Sequence, residues 1–87
     1  MDTLFIHEHA LKHGLTDEEI RHAWRNAFVT GIRKRNDGFI DILVAGFSQN
    51  GKPIEMVGRQ KNFGVLVFHA NTPISQRMRD ELELTGR

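Results

Sequence analysis

His69, His13 and Glu55 are the side chains of this sequence best suited to moving a proton. His69 closes the run Val65-Leu66-Val67-Phe68-His69, where a strand exit joins accessibility to a residue type that ordinarily titrates near neutrality. Strand alternation groups it with Phe63, Val65 and Val67 rather than with Leu66 and Phe68. Two roles stay open for it: closing the core through a hydrogen bond to a loop, or transferring a proton. Cations gather in the middle of the chain. Arg33, Lys34 and Arg35 are consecutive, and Arg59 and Lys61 share a parity, so strand pairing would assemble them at a sheet edge. Cleaving an RNA phosphodiester without a metal needs a base for the 2′-hydroxyl, positive charge on the phosphate and an acid for the leaving 5′-oxygen. These residue types supply all three, although alternating charges equally describe a solvated sheet face.

Other chemistries find less support. Only His9 and His13, among the N-terminal histidines, have the i,i+4 spacing, and no H-E-x-x-H pattern surrounds them. Cysteine is absent, which removes disulfides, thiolate nucleophiles and sulfur-ligated zinc. No phosphate loop, dinucleotide-binding glycine pattern or nucleophilic-serine motif occurs, so neither a metal nor a cofactor is expected.

Eighty-seven residues suffice for one small domain, 1–87, with 39% hydrophobic and 26% charged residues. The net charge is +1, but residues 32–61 carry a balance of +3 against −2 for residues 1–31. That favours a polyanion at the middle segment over a wholly electrostatic nucleic-acid binder. Without a membrane-length apolar run or a leading basic-then-apolar signal, the expectation is a cytoplasmic protein with no membrane partner.

The elements that must position these groups follow from periodicity. Phe5–Lys12 predicts a short helix ended by Gly14. Thr16 and Glu19 form a capping box, with Leu15 and Ile20 as its hydrophobic staple, and Ile20, Ala23, Trp24, Ala27 and Phe28 continue one apolar stripe. Strands are predicted at 29–35, 39–47, 54–60 and 65–68, joined by the turns Asn36-Asp37-Gly38 and Asn50-Gly51. Short connections imply antiparallel pairing. Thr72-Pro73 reads as a cap and first turn opening a helix over Ile74–Leu84, with Arg77 and Arg79 on its flanks. The expected class is α+β: two N-terminal helices, a four-stranded mainly antiparallel sheet and a C-terminal helix.

Several segments in this order resemble the BrnT-like toxins, which are related in fold to RelE-type bacterial endoribonucleases. Lys12-His13-Gly14 followed by an acidic helix is similar to the family's KHG segment. Ile42–Phe47 through Gly51–Ile54 is similar to its central hairpin, and Glu55-Met56-Val57-Gly58-Arg59 to its return strand. The resemblance implies the toxin of a type II toxin–antitoxin system, an RNA-cleaving enzyme neutralised by a cognate antitoxin, with the ribosome as a possible further partner and operator DNA reached only through the antitoxin. It implies Lys12 and Arg59, and more loosely Arg77 and Arg79 of the final helix, as the phosphate-positioning residues, while His69 is a proton-transfer candidate from its own residue type and His13 joins it. Arg33, Lys34, Arg35, Lys61, Arg77 and Arg79 complete the expected RNA-binding set. The chain departs from the family at His69-Ala70-Asn71, where Ser-Ala-Arg is usual. A noncatalytic module binding a protein partner or RNA is the alternative.

Overall fold

The computed structural model describes residues 3–83. Its strands are β1 (Leu4–Ile6), β2 (Ala27–Lys34), β3 (Ile40–Phe47), β4 (Pro53–Lys61) and β5 (Gly64–Asn71). Its helices are α1 (Asp17–Arg25) and α2 (Gln76–Glu81), and a 3-10 turn spans Glu8–Leu11. The sheet order is β1-β5-β4-β3-β2. β2 through β5 form an antiparallel meander, and β1 adds to β5 in parallel, so the sheet is mixed. The α+β class therefore holds, with five strands rather than four.

The expected first helix is largely absent. Leu4, Phe5 and Ile6 pair with Val65, Leu66 and Val67, because the outer edge of β5 offers backbone partners that local helix formation would forgo. Only the 3-10 turn remains of the predicted helix, with the His7 side chain accepting the His9 N–H at its start. Gly14 then takes φ +79°, the left-handed conformation that permits the reversal into α1.

α1 begins as its sequence requires. Thr16 Oγ1 accepts the Glu19 N–H at 3.1 Å, Glu19 Oε1 accepts the Thr16 N–H at 3.0 Å, and Leu15 and Ile20 are buried together. The helix stops at Arg25, earlier than the apolar stripe suggested. Ala27 already pairs with Gly46, Asn26 caps the His22 carbonyl, and Phe28 is the extra residue of a bulge before Val29 meets Ala45.

Each sheet face has its own core. Ile20 and Ala23 of α1 pack on Val44, Ile54, Met56, Val65, Val67 and Ala70, with Trp24 partly buried beside them. On the opposite face Leu43, Ala45 and Val57 meet Ile74, Met78 and Leu82 from the α2 region. α2 itself is shorter than predicted and is capped by Ser75, whose side chain accepts the Met78 N–H at 3.2 Å; Thr72 is not the cap. Burial of Ile74 against the sheet keeps the preceding segment outside the helix. The expected end at Leu84 lies outside the described residues.

Candidate functional site: a His–Glu pair in the cleft beside α2

Glu55 sits in the continuous run Ile54–Gly58 of buried residues on β4, where a carboxylate must find partners or lose its charge. It finds two. Oε1 accepts the Ser75 N–H at 2.5 Å, and Oε2 lies 2.8 Å from His69 Nε2. Burial opposes ionisation of Glu55, but the Ser75 N–H and the His69 ring outweigh it and hold the carboxyl below its ordinary value. An ionised carboxylate only accepts, so Nε2 carries the hydrogen and Nδ1 is the ring's remaining nitrogen.

His69 reaches this position through an irregularity. Val57 pairs with His69 while the next residue, Gly58, pairs with Val67, leaving Phe68 as an extra residue in β5. The bulge puts Phe68 and His69 on the same face. His69 therefore faces α2 with Glu55 and Val57, whereas Val65, Val67 and Ala70 join the α1-side core. This reverses the side that simple alternation assigns to His69.

The pair lines a cleft of about 600 Å³ between the sheet and α2. Asn71, Ser75, Arg33, Arg77 and Glu81 also line it. Arg33 grips Glu81 through Nε and Nη2, both at 2.6 Å, which holds the Glu81 carboxyl below and the guanidinium above their ordinary values. Arg77 touches Glu81 at 3.4 Å but stays 75% exposed, the more available cation of the two. The His13 ring, outside the cleft lining, stands 6.1 Å from the His69 ring.

The remaining residues expected from the sequence lie apart. Arg59 donates twice to Asp41 Oδ1, at 3.1 and 2.8 Å, and lines a second cleft beyond Phe68 with Arg35 and Lys61. Arg35 contacts Asp37 at 3.0 Å and Asp41 at 3.7 Å. The exposed Lys12 lines neither cleft. Lys34 alternates with Arg33 and Arg35 and so falls on the α1 side of the sheet. Arg79 is turned back by a 3.3 Å bond from Nε to the Ile74 carbonyl. The structure thus puts His69 and Glu55 in one cleft with the His13 ring 6.1 Å from His69 outside its lining, and leaves Arg59 and Lys12 away from both.

Sequence reasoning did not find Ser75, Glu81 or the Glu55–His69 contact. The one available signal was a glutamate inside an apolar strand, which announces a partner without naming it. The described residues contain no cluster of three or more groups that could hold a metal ion and no helix long and apolar enough to cross a membrane. No family model matches the chain, and neither the curated proteins nor the solved structures yield a relative.

Proposed function

We propose that this chain is a BrnT-like endoribonuclease, the toxin of a type II toxin–antitoxin pair, cleaving RNA without a metal. The observation that carries the proposal is the Glu55–His69 pair in an arginine-bearing cleft, with a second imidazole 6.1 Å away. Glu55 orients His69 and stabilises the imidazolium that forms when Nδ1 takes the 2′-hydroxyl proton. The 2′-oxygen attacks phosphorus, a 2′,3′-cyclic phosphate forms, and the 5′-oxygen leaves with a proton donated by His13. Arg77 offsets charge on the phosphate. Asn71, standing where the resemblance expects arginine, lines the same cleft and offers neutral amide donors. The partners implied are RNA and a cognate antitoxin, with the ribosome as a possible further one.

The competing reading, a noncatalytic module that binds RNA or a protein, draws on Arg33, Arg35 and Arg59 already being paired with carboxylates. Purified protein incubated with RNA in excess chelator separates the two. His69→Ala is expected to lower kcat about 10²- to 10⁴-fold, and Glu55→Gln to lower it while keeping an acceptor for Ser75. Thermal unfolding of each variant controls for folding. Absence of cleavage by the unaltered protein, with and without ribosomes, sinks the enzyme reading; full activity in His69→Ala removes that residue from the mechanism.

A further inference from the structure

The second cleft, about 320 Å³, lies on the same sheet face and shares Phe68 with the first. Its lining includes His7, His9, Arg35, Arg59 and Lys61 and no carboxylate. Asp41, 3% exposed, is beneath these cations rather than on the surface, and its bonds to Arg59 Nε and Nη2 hold that guanidinium in place. Arg59 Nη1 and Lys61 Nζ have no partner among the described residues. The Arg59 guanidinium carbon also lies 5.0 Å from the Phe39 ring and 5.4 Å from the Phe68 ring. Phe39 remains 53% exposed, so much of its ring is open to a further planar group.

Oriented cations beside an exposed aromatic ring form the combination that binds single strands, charge following the backbone and the ring stacking a base. The register sets the spacing. His69 pairs with Val57, and Arg59 lies two residues further along β4, about 7 Å at strand rise. At about 3.4 Å per nucleotide stacked as in a duplex, that is at most roughly two nucleotides.

We propose that the cleft lined by Arg35, Arg59 and Lys61, together with the exposed Phe39 ring beside Arg59, is a flanking-nucleotide subsite, binding single-stranded RNA within about two nucleotides of the phosphate beside His69. This rests on the endoribonuclease reading for the identity of the first cleft. Asp37 and Asp41 offset much of the charge on Arg35 and Arg59, so Lys61 supplies the main uncompensated cation and Phe39 the stacking surface.

The test uses the full chain carrying His69→Ala, with fluorescent oligouridylates of two and eight nucleotides, and reads affinity against salt. The octamer is expected to bind at least about tenfold tighter than the dimer, since only it spans both clefts. Lys61→Gln should flatten the octamer's log K against log salt slope by about 0.7, and Phe39→Ala should weaken the octamer about tenfold. Equal affinity for the two lengths, or octamer binding unchanged in both variants, overturns the subsite. Displacement of the octamer by poly-glutamate at equal charge, with Phe39→Ala without effect on either ligand, overturns it in favour of an acidic protein segment. A parallel cleavage assay without the His69 substitution keeps the two ideas apart. Cleavage with octamer binding indifferent to Lys61 and Phe39 removes the subsite alone, whereas binding that depends on both residues without cleavage supports the subsite and removes the catalytic reading.

Discussion

Glu19, Asp41 and Glu55 are buried carboxylates, and the fold delivers a hydrogen-bonding or cationic partner to each. Glu19 shows the consequence most directly. A hydrogen bond from Lys52, followed by the Thr16 backbone N–H, lowers its pKa from 4.5 to about 2 against the opposing effect of burial. A depressed carboxyl contributes stability fully above its unfolded value, and that contribution disappears as pH falls through about 2. Because Lys52 is 43% exposed, the effect is discounted to about 1–2 kcal/mol. Urea unfolding should therefore show Glu19→Gln less stable by this amount at pH 6, with the gap closing towards pH 2; a pH-independent gap would remove the ionised partner as its cause. At this scale the sequence exposed the questions. It showed Asp41 and Glu55 interrupting apolar strands, but Arg59 and His69 are 18 and 14 residues away and only the register brings them close.

Elements behaved differently according to whether their signals were local. The Thr16/Glu19 box and the Leu15/Ile20 staple lie within a few residues of each other, and α1 begins where they say. Its end depended on β3, because Ala27 forms a strand pair with Gly46 instead of extending the helix. The same junction packs tightly: a Cβ at Gly46 would come 2.1 Å from the Ala23 carbonyl oxygen. Gly46→Ala must push α1 off the sheet and should cost about 3 kcal/mol, read as a fall in the urea midpoint; a loss under about 0.5 kcal/mol would contradict this packing. Across the sheet, Ser75 both caps α2 and donates its backbone N–H to Glu55. Ser75→Ala removes the cap and the hydroxyl's own bond to Glu55, and should cost about 1 kcal/mol while leaving the backbone contact available. If RNA cleavage falls in proportion to lost folding alone, the Ser75 hydroxyl serves stability; a larger fall would show that the start of α2 sets the Glu55 carboxylate.

For the whole molecule, the least local connection is the parallel pairing of β1 with β5, which ties residues near the start of the chain to its last strand. Leu4, buried in the α1-side core, makes the connection measurable. Leu4→Ala should destabilise the protein by about 2–5 kcal/mol in a single unfolding transition, and a small loss would mean that β1 lies outside the cooperative unit. The sequence by itself determined the α+β class, the two hairpin turns, the entry to α1 and the alternating faces of β3, because each arises from neighbours close along the chain. The resemblance drew attention to Lys12, His13 and Arg59, but of these only His13 stands beside the His69 ring. Tertiary structure alone decided the fifth strand, the length of α1 and the company His69 keeps. One extra residue in β5 reverses the facing of every side chain beyond it, and strand pairing, not local propensity, selects where that residue is accommodated.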